Sequence, residues 1–137
     1  MIGPLATAIK TAYDAAGGAT LRAANTGGLW FTQAPQAVSE PYTVFLWVGS
    51  AVDDQMGGAT ARIERCEIQF SVFSRAEDGG SEAADIATKL MSWFDESSLT
   101  VTGYSHIRNE RNGTSGVLSV DDVYMIVINY TIWVSWS

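Results

Sequence analysis

One histidine, His106, and one cysteine, Cys66, are the only residues of their kinds in the chain, so any serine or cysteine nucleophile has a single candidate base. His106 falls on the polar parity of an expected strand beside Arg108, which favours an exposed or interface imidazole over a general base. Cys66 lies on the apolar parity of its segment and reads as an inert core thiol. A lone cysteine cannot close an internal disulfide, and no Cys/His spacing resembles a zinc site. The acidic pairs Asp53-Asp54 and Asp121-Asp122 would need convergent side chains to hold a cation or share a proton. Adjacent strand residues point to opposite sides, and no calcium-loop spacing follows either pair, so solvated loop charge is the favoured reading.

Gly27-Gly28, Gly57-Gly58 and Gly79-Gly80 make no phosphate-binding fingerprint. The last pair does precede a helix, but Glu82 and Asp85 place negative charge where a phosphate would sit. Positive charge gathers only at Arg108 and Arg111, with Asn112 beside them, in an expected loop. A surface salt bridge or subunit contact is favoured there over phosphate contact. Neither an enzyme, a cofactor nor a metal site is expected. The sequons at Asn112 and Asn129 carry meaning only in a secreted chain.

The 137 residues that must position these groups favour a single domain, 1–137, with enough apolar content (47%) for a core. Fifteen acids against eight bases give a net charge of −7, which disfavours general attraction to nucleic acid or anionic lipid. No secretion signal opens the chain, and no apolar run reaches the roughly 18 residues that span a bilayer, so a cytosol-like compartment and no membrane are expected.

Leu5, Ile9 and Tyr13, with Ala8, Ala12 and Ala16, recur at helical spacing after Pro4, and Gly17-Gly18 should end that helix. Ala19 to Glu40 reads as a loop holding one short strand, Leu29-Trp30-Phe31. Tyr42 to Val48 is apolar at nearly every position and predicts a strand covered on both sides. Gly49 to Ala61 reads as a long connection. Cys66, Ile68, Phe70 and Val72 alternate with Glu67, Gln69 and Ser71, predicting a strand with one wet face.

Glu82 to Phe94 carries a stripe of Ala83, Ile86, Ala87, Leu90, Trp93 and Phe94 and predicts a helix on a sheet, with Asp78 or Ser81 as cap. Leu99, Val101 and Ile107 share a parity in a further strand, and Asn109 to Asp122 reads as a long loop. Tyr124, Ile126, Ile128, Tyr130, Ile132 and Val134 form an unbroken apolar row in a long closing strand. This order predicts an α+β fold with a mainly antiparallel sheet of about four to five strands and helices on one face. Phe45, Trp47, Phe73 and Trp133 are left for the second face, which implies oligomerisation.

Leu29-Trp30-Phe31-Thr32-Gln33-Ala34-Pro35, followed by Pro41-Tyr42-Thr43-Val44, resembles the aromatic strand, Ala-Pro and Pro-Tyr-Val pattern of tail-completion (tail terminator) proteins of long-tailed bacteriophages. The order of later elements is similar, from the first helix to Trp136. The resemblance implies a non-catalytic virion protein of the tail, assembled in the host cytoplasm. It implies a homo-oligomeric ring, usually a hexamer, that caps the tail tube and joins it to the head-side connector protein. The expected interface residues are Trp30, Phe31, Phe45, Trp47, Phe73 and Trp133, and the expected docking loops hold Asp53, Asp54, Arg108, Arg111 and Asn112.

Six domains of this length, each about 35 Å across, leave a hole about one domain wide, and their summed charge of about −42 lets DNA pass without specific binding. The alternatives are another head–tail joining or tail-tube subunit, or a small-molecule-binding α+β domain.

Overall fold

A computed structural model describes residues 2–53 and 62–136. Helix α1 (Ile2–Asp14) buries Leu5, Ala8, Ile9 and Tyr13, the residues its spacing selects. A 3-10 turn (Ala16–Gly18) then leads into a second short helix, α2 (Ala19–Ala24), where the sequence suggested loop. Leu21 is the one buried side chain of α2, so no apolar stripe advertises it. The junction is fixed by Arg22, whose guanidinium donates to the Tyr13 and Ala15 carbonyls at the end of α1. Gly18 is required there: a Cβ would stand 2.2 Å from the Tyr13 carbonyl oxygen.

Among the described residues six strands follow in one sheet: β1 (Leu29–Phe31), β2 (Tyr42–Asp53), β3 (Arg62–Ser74), β4 (Ser105–Thr114), β5 (Leu118–Val120) and β6 (Val123–Trp136). Helix α3 (Ser81–Asp95) connects β3 to the strands beyond. The order across the sheet is β1-β2-β3-β6-β4, with β5 also on β6. Only β1–β2 is parallel. The fold is therefore α+β, with a strand more than the sequence suggested.

The extra strand, and the extra length of β2 and β4, come from two stretches expected to be loop. β2 continues past Val48 to Asp53, while Asp54 and the rest of the expected connection to Ala61 lie outside the described residues. The supposed loop after Asn109 holds the rest of β4, all of β5 and a tight turn in which Asp121 (φ 50°) and Asp122 (φ 65°) are both left-handed. Positive φ at both central residues matches the twist of a two-residue hairpin, a geometry that Asn-Gly usually signals. Leu99 and Val101 precede β4 and are buried, whereas Ile107 sits at a bulge and is exposed.

On one side of the sheet, Phe70, Val72, Ile126, Ile128, Ile132 and Val134 are buried against α1 and α3. Aromatic rings fill the centre edge-on, with Phe94 4.8 Å from Tyr130 and 5.0 Å from Phe70. The start of α3 is held by Asp78, whose carboxylate accepts from the Gly80 and Glu82 amides at 3.1 and 3.0 Å. A buried polar knot ties α1 to the sheet: Asn25 donates to Tyr13 Oη at 3.1 Å and accepts from Thr43 Oγ1 at 3.2 Å. Among the described residues, no helix is long and apolar enough to cross a membrane.

Candidate assembly surfaces

Strand pairing assigns every sheet residue to a face. Phe45 pairs with Phe70, and Trp47 with Ile68, so both belong to the helix-covered side. Phe45 is 1% exposed, and Trp47 packs partly buried on the same core. This corrects the expectation that they occupy the second face. Thr43 is the one polar residue from Tyr42 to Val48, and it lies buried on the covered side, so polarity does not mark which side faces water.

Phe73 and Trp133 do lie on the open face, at opposite ends of it. Around Phe73 the face is mostly apolar: Phe73 pairs with Tyr42 and Met125, their neighbours are Val44, Leu46 and Val127 around a buried Ser71, and the Tyr42 and Phe73 rings stand 5.2 Å apart. Around Trp133 it is charged. The guanidinium of Arg108 lies 4.9 Å from the Trp133 ring and that of Arg65 5.6 Å, a cation–π arrangement in which the ring quadrupole draws both cations. Arg108 also meets Glu110 at 3.1 Å. Gly49, Ala51 and Glu67 complete a shallow cleft over this charged end.

The first edge of the sheet belongs to β1. Phe31 is 40% exposed and rests on Phe45 at 5.0 Å. Trp30 donates its indole N–H to the Gly27 carbonyl at 2.8 Å, with the Lys10 ammonium 5.6 Å from its ring.

The expected basic loop is instead strand β4, and alternation disperses its members. Arg108 takes the open face. Arg111 turns to the covered side, 3.5 Å from the Asp95 carboxylate and in contact with the Met91 sulfur. Asn112, at the second β4 bulge, donates to Thr131 Oγ1 at 2.6 Å. Asp53 ends β2.

His106 is engaged at both nitrogens: Nδ1 accepts from the Leu99 amide at 3.2 Å, and Nε2 meets Asn109 Oδ1 at 2.8 Å. Asn109 in turn donates to the Phe94 and Ser97 carbonyls at 2.8 and 3.2 Å. The imidazole thus anchors the end of α3 to β4, a bracket the sequence did not reveal because its members are up to 15 residues apart. Burial, then the charge of Glu64, pushes the Cys66 thiol up to about 12, leaving it a neutral core group at ordinary pH. Burial raises Tyr130 as well, followed by its 2.6 Å hydrogen bond to Asp95. Among the described residues, no group of three or more His, Cys, Asp or Glu is placed to hold a metal ion.

A family model described as "Tail completion protein gp17" matches residues 5–135. The chain belongs to that family. It is a structural protein of the bacteriophage tail. The Leu29–Val44 pattern of the resemblance maps onto β1 and the start of β2. A solved chain described as "Virion of native gene transfer agent (GTA) particle" is similar in fold, with a TM-score of 0.78 at 17% identity. The alignment covers 98% of this chain and 96% of that one. A second solved chain aligns with a TM-score of 0.65 at 12% identity, covering 96% of this tail protein and 95% of its own length. A search of curated protein sequences finds no match.

Proposed function

We propose that copies of this chain close into a ring, six in number, that caps the finished tail tube and joins it to the head-side connector. The chain acts there as a non-catalytic collar. One observation carries this reading: among the described residues the sheet has helices on one face only, yet its other face holds Tyr42, Val44, Leu46, Phe73, Met125 and Val127. A face that alternates inward and outward residues is expected to be polar on its wet side, so an apolar end calls for a partner.

Phe73 and the residues around it form the contact to another protein. Trp133 with Arg108, the β1 edge with Trp30 and Phe31, and the end of β2 at Asp53 supply further contacts, and Asp54 belongs to the docking segment beyond. DNA passes without specific binding because each subunit brings a charge of −7.

Native mass spectrometry and negative-stain imaging, with and without tail tubes, test the proposal. The expected result is a closed ring alone, or a monomer that assembles on tubes. A strictly monomeric protein that neither binds tubes nor alters tail length overturns it.

A further inference from the structure

The two lateral edges of the sheet match each other. Rows can be followed straight across it: Asp53, Ile63, Ser135 and Ser105 share one, and Ala51, Arg65, Trp133 and Arg108 another. Leu46, Gln69, Asn129 and Gly113 share the last before β1 begins to cover β2 at Phe45. No described strand pairs with Leu46–Asp53 on the side away from β3, and none pairs with β4 on the side away from β6. The free stretch of β2 spans seven rows, and β4 runs level with all seven and one row further, to Thr114.

They also run in opposite directions, since each of the β2–β3, β3–β6 and β6–β4 steps reverses the chain. Two copies set side by side in the same orientation bring β4 of one against β2 of the next as an antiparallel pair. A rotation about an axis along the strands keeps the rows level.

Each edge leaves apolar side chains in water, Val48 (55%) and Val52 (51%) on β2 and Ile107 (48%) on β4. From Leu46 to Val52 the β2 edge carries no charged residue, so it lacks the blunting that isolated edges usually have. On β4, Arg108 meets Glu110 and Arg111 meets Asp95, so its charges are paired within the subunit and do not oppose an uncharged neighbouring edge.

Resting on the ring reading above, we infer that the subunit seam is a continuation of the sheet: the β2 edge of one copy hydrogen-bonds to the β4 edge of the next. Edge N–H and C=O groups that no described strand takes up supply the attraction, and the heterologous contact propagates around the ring. The open faces then join into one surface, with the Arg108–Trp133–Arg65 stacks repeated around it.

Engineered cysteines test the seam in the full chain. Gly49→Cys with Glu110→Cys joins one row and Ala51→Cys with Arg108→Cys another, while Ala51→Cys with Glu110→Cys reports a two-residue stagger from strand tilt. A Cβ at Gly49 meets nothing within 4 Å, so the side chain fits. Under mild oxidation at least one pair should convert the monomer band into a ladder of covalent multimers absent from the single-cysteine controls. Native mass spectrometry of the same samples reports whether rings are present. Rings without a ladder from any pair overturn the seam and leave the ring standing; absence of rings on or off tail tubes overturns both.

Discussion

The two sides of β6 do opposite work with the same backbone. Ile126, Ile128, Tyr130, Ile132 and Val134 are buried under the helices, while Met125, Val127, Asn129, Thr131 and Trp133 face away from them. One parity makes the subunit, and in the ring proposed above the other is open to partners. A single strand can thus be tuned for partners without disturbing its core, because a period of two separates the duties completely.

Substitutions at neighbouring positions put that separation at risk in graded steps. Ile128→Asp places a carboxylate in the fully buried row and should cost about 4 kcal/mol or more, enough to unfold the subunit. Loss of the cooperative transition in circular dichroism checks it. Alkaline pH attacks the same side more gently. Cys66 ordinarily titrates at 9.0 and in the fold only at about 12, so the unfolded chain releases its proton first and stability falls as pH rises through this range. The slope is at most about 1.4 kcal/mol per pH unit. Urea melts between pH 8 and 11 should show the fall, and Cys66→Ala should reduce it, with Tyr130 and Tyr13 contributing in the same direction above 10.0.

His106→Ala removes the acceptor of the Leu99 amide and should cost about 2 kcal/mol, read as a lower urea midpoint with an unchanged slope. On the open side, Phe73→Ser should cost only about 1 kcal/mol of subunit stability yet abolish binding to tail tubes in sedimentation. A large stability loss would return Phe73 to the core. Arg111→Glu is the smallest: it sets a second carboxylate near Asp95 at a half-exposed site, for a change of about 0.5 kcal/mol by thermal melting.

Legibility followed exposure. The α3 stripe and the β6 row were plain in the sequence because each has one wet and one dry side. β2 is legible as a strand but its faces are not, since Thr43, the one polar residue from Tyr42 to Trp47, lies on the buried side. β4 was hidden for the opposite reason. Ser105–Thr114 is an edge strand exposed on both faces, and bulges at His106/Arg108 and Arg111/Gly113 break its alternation. The group formed by Arg108, Arg111 and Asn112 dissolved once that stretch proved to be a strand. Phe73 and Trp133 are legible because each lies opposite the apolar row of its strand, Cys66 to Val72 in β3 and Tyr124 to Val134 in β6.

β3 and β6 pair without interruption from Arg62–Trp136 to Ser74–Tyr124, thirteen rungs in all. Tension along the strand axis is shared by every rung at once, whereas a force pulling the strands sideways would open them one by one, like a zipper. The subunit is therefore mechanically stiffest in the direction its longest strands run.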